Sequence, residues 1–262
     1  MKSLLVWLGC LGLGLGLWAW FQGHSPPPRA PALSPLLIQE VARRVTVKVL
    51  VGQSWGSGVL VARQGHTYTL VTNQHVLQSD SRAQTYQVRT PDGRLHSAQL
   101  PVLPAGSSED VAALRFTSTQ TYAIVCRQPQ LPAVGDPVFA AGFPFPTEGQ
   151  TDPGLVFTTG AVRLILPQSL EGGYRLGYTN PIAKGMSGGP VLNGQGQLVA
   201  LNGMHQYPLW GDPYRYASGD IPAPELRAQL VHYSWGIPID HVWQALRLGD
   251  PPPLHCNDPP SR

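Results

Sequence analysis

Cysteine is scarce in this chain, with three among 262 residues. Cys10 lies inside an apolar N-terminal run, where it reads as an ordinary apolar-segment residue, since Trp7 and Leu8 stand where a lipid-attachment signal needs small residues. That leaves Cys126 and Cys256, which in an oxidising compartment would tie the tail to the body if their geometry allows a bond. Clustered positive charge is missing too. The formal net charge is +3 and the basic residues are scattered rather than drawn into a stripe, which excludes nucleic acid as a partner. None of the eight histidines stands at ligand spacing from a cysteine or carboxylate partner, so no metal is expected, nor an organic cofactor. Helix signals are rare, which excludes a parallel sheet, because its strands need helices between them.

What the chain does have begins with Leu4 to Phe21, "LLVWLGCLGLGLGLWAWF", a run without charge. Its length fits a membrane anchor of roughly 20 residues or the core of a secretory signal peptide. The bulky tryptophans where a cleavage site needs small residues favour an uncleaved anchor. Either reading exports the rest, as a membrane-anchored, periplasmic or secreted protein. The next stretch, "HSPPPRAPALSP", carries prolines that lack N–H donors and disfavour helical backbone before them, so it reads as an extended spacer.

Beyond it, 29 glycines and 27 prolines imply many turns, and hence many short strands. Alternating apolar and polar residues mark strands at 45–51, 56–62, 68–73, 85–90, 96–103 and 111–116, then at 137–143, 155–166, 174–179, 189–193, 197–204 and 234–239. Helices are expected at 222–232 and 239–248, the second with Asp240 as its N-cap. Two runs of six strands, split near 128–136, predict an all-β fold of two packed six-stranded antiparallel barrels with a short C-terminal helix. The expected divisions are a leader at 1–23, a linker at 24–35, barrels at 36–127 and 128–249, and a flexible tail at 250–262.

Three residues stand where serine chemistry needs them. A serine hydroxyl becomes a nucleophile when a base takes its proton and a third group fixes the base's tautomer. His75 follows a strand in "VTNQHV", and Asp110 precedes one in "EDVAALRF", with Glu109 the nearest rival for its role. Ser187 sits in "AKGMSGGPVLNGQGQLVALNG", whose glycines let backbone N–H groups converge on one point. The order puts two members on the first barrel and one on the second, so the site is expected between them.

These segments, with "GSGVLV", "AAGFPF" and "SWGIPID", resemble chymotrypsin-fold serine peptidases, in particular the protease domain of the HtrA (DegP-like) group, over roughly residues 40 to 245. The resemblance implies His75 as general base, Asp110 as its orienting carboxylate, Ser187 as nucleophile, and the N–H groups of Gly185 and Ser187 as oxyanion hole. It implies hydrolysis of polypeptides through an acyl-enzyme, with a rate rising near the reference histidine value of about 6.5. Met186 stands where activatable relatives carry an aspartate that pairs with a newly cut N-terminus, so that ion pair is excluded by residue type. Pro181, Ile182 and Ala183 would wall the specificity pocket without an acid, which predicts cleavage after small or medium apolar residues. Leu201, Asn202 and Gly203 resemble the segment that pairs with an extended substrate.

The aromatic insert at 205–233 reads as a packed surface loop or as a lid over the cleft. After the last strand only about 23 residues follow, fewer than a PDZ domain needs, so the expectation is a protease domain without one. Alternatives of other classes are a catalytically silent peptide-binding module and a chaperone-like holdase on the same fold.

Overall fold

The computed structural model describes residues 31–80, 85–101, 108–128, 130–208 and 212–247. The leader, most of the proline spacer, Cys10, Cys256 and the tail lie outside the described residues. Among the described residues no helix is long and apolar enough to cross a membrane.

Among the described residues twelve strands form two six-stranded units. The first comprises β1 (Thr46–Val51), β2 (Ser54–Gln64), β3 (Thr67–Thr72), β4 (Tyr86–Arg89), β5 (Leu95–Ala98) and β6 (Ala112–Thr117), in the order β5-β4-β1-β2-β3-β6. A single bridge between Gln99 and Arg115 draws its two edges together. The second comprises β7 (Pro137–Gly142), β8 (Val156–Ile165), β9 (Leu176–Tyr178), β10 (Pro190–Leu192), β11 (Leu198–Met204) and β12 (Ser234–Pro238), and closes fully as β10-β11-β12-β9-β8-β7. Every strand pair in both units is antiparallel.

The apolar run in β2 shows why the units pack. Side chains alternate across a strand. Leu60 therefore joins Val47, Val49, Leu70 and Leu114 inside the first barrel, while Val59 and Val61 face outward and join Val71, Ala113, Phe139 and Leu192 in a core shared by both units. A third cluster, including Val138, Val162, Leu176 and Tyr178, fills the second barrel. The link between the units is itself hydrogen-bonded to both: Val125 N–H donates to Leu60, and Leu198 N–H donates to Cys126. Cys126 is disulfide-bonded; the pairing expected with Cys256 has its second member outside the described residues.

Four helices complete the described fold. α1 (Pro35–Val45) departs from expectation, because the proline-rich stretch before it reads as spacer. Yet Pro35 sits at its first turn, where no N–H is needed, and Ser34 caps it by accepting from Leu37 N–H. Its buried Ile38, Ala42 and Val45, at helical spacing, enter the shared core. α2 (Gln74–Leu77) is a single turn after β3. α3 (Pro224–Leu230) falls within the expected 222–232, and α4 (Ile239–Leu246) within 239–248. Asp240 is not the N-cap of α4: Pro238 holds that position, and Asp240 lies in the first turn, where its charge still faces the positive helix end.

Candidate active site

β3 ends at Thr72, and the chain bends into α2 with His75 half-exposed at the surface. The neighbouring strand β6 begins at Ala112, two residues after Asp110. Because β3 and β6 pair with Thr72 opposite Ala112, strand register alone carries His75 and Asp110 to the same end of the barrel. Asp110 Oδ1 accepts from the His75 main-chain N–H at 2.8 Å, and Asp110 Oδ2 lies 2.6 Å from His75 Nδ1. A largely buried carboxylate on one ring nitrogen leaves the other free to act as base. Asn73 Nδ2 donates to the Asp110 carbonyl at 2.8 Å and fixes the backbone beneath. Glu109 points elsewhere, to His241 Nδ1 on α4 at 3.8 Å, and burial is the main cause that raises its carboxyl above the usual range.

Ser187 lies in the turn before β10. Gly185 and Gly188, with φ of +96° and +83°, adopt backbone that residues with a β-carbon avoid. The turn is also too close to its neighbours for side chains. A β-carbon on Gly185 would stand 2.5 Å from the Phe143 carbonyl oxygen, and one on Gly142 would stand 2.7 Å from Met186 Cα. Ser57, from β2 of the first barrel, clamps the turn: its N–H donates to the Ser187 carbonyl, its hydroxyl donates to the Gly185 carbonyl, and its Oγ accepts from Phe143 N–H, at 2.8, 2.8 and 2.9 Å. The Gly185 and Ser187 N–H groups make no hydrogen bond among the described residues. Met186 is buried, with its sulfur 3.4 Å from Ala183 N–H.

The Ser187 hydroxyl donates to the Gly203 carbonyl at 3.1 Å. Among the described residues no hydrogen bond joins it to His75, and catalytic hydrogen bonds are often long or misaligned before substrate binds. Gly203 in turn packs against Tyr174. A β-carbon there would overlap the ring of Tyr174, and the Tyr174 hydroxyl donates to Asp110 Oδ2.

A trypsin-like peptidase domain model matches residues 56–201, which include all three residues. The chain belongs to the trypsin-like peptidase family. It is 30% identical over 151 residues to the serine endoprotease DegS of Escherichia coli K12, covering 56% of this chain and 39% of that protein. It is 32% identical over 151 residues to the periplasmic pH-dependent serine endoprotease DegQ of the same strain, covering 56% of this chain and 30% of DegQ. A probable periplasmic serine endoprotease, DegP-like, of Halomonas elongata is 27% identical over 150 residues, covering 57% and 29% of the two chains. The match therefore spans less than two-fifths of the length of these relatives.

Of the expected substrate contacts, Pro181 and Ala183 are exposed and Ile182 is half-buried, packed against the second-barrel core. Leu201 and Asn202 lie inside the sheet. Both are fully buried in β11, between β10 and β12, and the Asn202 N–H and carbonyl are taken by Gly189 and Gly188. Gly203, which follows, is half-buried, and its carbonyl accepts from the Ser187 hydroxyl. The Asn202 side chain instead braces the barrel from within, its Nδ2 donating to the Ala141 carbonyl and its Oδ1 accepting from Tyr178.

The residues that sequence reasoning missed are Ser57, Gly142 and Tyr174. Ser57 lies in the motif "GSGVLV", but its partners are 86 and 128 residues away in the chain.

Proposed function

We propose that this chain is a serine endopeptidase acting on extended or unfolded polypeptides. One observation carries the reading: the carboxylate that holds His75 also accepts from Tyr174, which packs on Gly203, the acceptor of the Ser187 hydroxyl, beside a turn whose Gly185 and Ser187 N–H groups make no hydrogen bond among the described residues.

In the reaction His75 takes the Ser187 proton as Oγ attacks the scissile carbonyl carbon. The Oγ–C bond forms and the oxyanion develops against the Gly185 and Ser187 N–H groups, each such donor contributing about 3 kcal/mol in other serine peptidases. His75 then gives its proton to the leaving amine as the C–N bond breaks. Water, deprotonated in turn by His75, attacks the acyl carbonyl carbon, and the C–Oγ bond breaks as His75 returns that proton to Ser187 Oγ and the acid product leaves. Asp110 holds the ring throughout and steadies its charged form.

Pro181, Ile182 and Ala183 offer no acid to bind a Lys or Arg side chain, so cleavage falls after small or medium apolar residues. Gly203 begins the edge on which the substrate main chain docks. DegQ and the DegP-like relative are named as periplasmic, which supports an exported location for this chain. Membrane attachment would come through the N-terminal apolar segment if it is retained.

A fluorophosphonate probe tests the reading. The expected result is labelling at Ser187, lost in Ser187→Ala, together with casein cleavage by the wild type. A folded wild type that neither labels nor cleaves, yet still binds extended peptide, would make the chain a silent binding module. A peptide panel cleaved mainly after Arg or Lys would overturn the specificity.

A further inference from the structure

The loop between β8 and β9 belongs to the second barrel, yet its tip touches the Asp110 carboxylate of the first. Gly172 and Gly173, both at positive φ, turn the chain there. Asp110 N–H donates to the Gly172 carbonyl at 2.9 Å, and a β-carbon on Gly172 would lie 3.2 Å from Asp110 Cβ. The next residue but one, Tyr174, is 5% exposed, and its hydroxyl donates to Asp110 Oδ2, the oxygen that also faces His75 Nδ1. Both carboxylate oxygens are thus engaged, Oδ1 by the His75 main-chain N–H and Oδ2 by the His75 ring and the Tyr174 hydroxyl.

The phenol reaches Asp110 because residue 203 has no side chain. A β-carbon on Gly203 would sit 2.5 Å from the Tyr174 oxygen and inside its ring. The loop is clamped from outside by the insert after β11. Glu171 N–H donates to Arg215, Ala217 N–H donates to Ser169, and Leu170 bridges to Tyr216. Tyr214 and Leu230 of the insert are buried in the shared core. These contacts hold the loop that carries Tyr174.

We propose that Tyr174 is a positioning residue for catalysis, its hydroxyl fixing the Asp110 carboxylate from the opposite barrel through the space left open by Gly203. This deepens the peptidase reading and rests on it. Burial first, and then the negative charge of Asp110, hold the proton on the phenol. Tyr174 therefore remains a donor across the pH range in which a peptidase works. The titratable groups around the carboxylate are His75 and Tyr174; Tyr178 stands behind Tyr174, and Glu109 turns away to His241 and Asp240. By sharing the carboxylate's negative charge, the phenol weakens its pull on a protonated His75.

The test uses the full chain with a chromogenic peptide. Tyr174→Phe keeps the ring and is expected to lower kcat/KM about tenfold, mainly in kcat, as loss of a hydrogen bond to a charged group should. The acid limb of its pH–rate profile should move up by about half a unit, because the unshared carboxylate holds the imidazolium more firmly. Tyr174→Ala should lose more, and adding Gly203→Ser should recover severalfold, since the new hydroxyl falls where the phenol stood. If Tyr174→Phe does not fold, the Tyr174→Ala and Tyr174→Ala/Gly203→Ser pair decides: recovery supports the proposal and its absence overturns it. A wild type that labels with fluorophosphonate while Tyr174→Phe matches it in rate and profile overturns the proposal alone, and so does a slower variant with an unmoved profile. A wild type that never labels or cleaves overturns the peptidase reading, and this proposal with it.

Discussion

In the first barrel, His75 and Asp110 reach the site as side chains at the ends of two directly paired strands, whereas the second barrel offers mainly backbone: a turn with a β-carbon missing at Gly185, Gly188 and Gly189. Strand pairing fixes the first contribution almost locally. The second depends on close approach across the interface, where Ser57 grips three main-chain groups and Gly142 leaves room for Met186. The difference teaches that the candidate site's side chains and its glycine turn are exposed to different kinds of mutation. Removing a side chain should stop chemistry and spare the fold, while adding one methyl on the glycine side should disturb the fold or the turn.

The sharpest way to break that contrast is Gly188→Ala. Its methyl would overlap the Ser57 carbonyl oxygen and the Thr72 hydroxyl, at a φ of +83°. A loss of about 3 kcal/mol or more is expected, read as a large fall in the denaturant midpoint. A stable Gly188→Ala would mean that the two barrels are less tightly fitted than described. Gly142→Ala comes next. It presses on Met186 Cα and Ser57 Oγ, and displacement of the turn should lower kcat/KM about a hundredfold with smaller effect on stability.

The smallest expected effect lies at the edge of the same interface. Lys48 of β1 is 4% exposed, its ammonium 3.9 Å above the Trp55 ring and 2.5 Å from Asp152. The Lys48 hydrogen bond is the main cause that holds the Asp152 carboxyl below its usual range. A lowered folded-state value means that the unfolded chain binds more protons at acid pH. The stabilisation is therefore present above about pH 4 and is lost as pH falls through the lowered value. Asp152 is 44% exposed, so the pair is screened and contributes less than about 1 kcal/mol. Asp152→Asn should flatten the acid limb of melting temperature against pH, and an unchanged limb would remove this pair from the account.

Much of this was legible in the sequence because period-2 patterning is local. The segments expected as strands each overlap an observed one, and the two-barrel division follows from their grouping. The candidate site's His75, Asp110 and Ser187 were legible as candidates because each lies in a short motif at a strand end. α1 was missed although Ser34, Pro35 and the spacing of Ile38, Ala42 and Val45 carry a helix-start signal, because the prolines upstream masked it. Tyr174 and Ser57 left no local signal at all. Their partners lie 64 and up to 128 residues away, and only the packing of one barrel on the other brings them together. The burial of Leu201 and Asn202 between two strands was not legible either, since a motif does not reveal which sides of a strand are paired.

The central claim is that His75 and Ser187, carried by different barrels, act as one catalytic unit. Its most direct test is a double-mutant cycle in kcat/KM with His75→Ala, Ser187→Ala and the double variant, each checked for native melting. Each single change should cost on the order of 10⁴- to 10⁶-fold, and the double variant no more than the worse single one. Losses that multiply, or a His75→Ala enzyme within about tenfold of wild type, would contradict a shared proton path between the barrels.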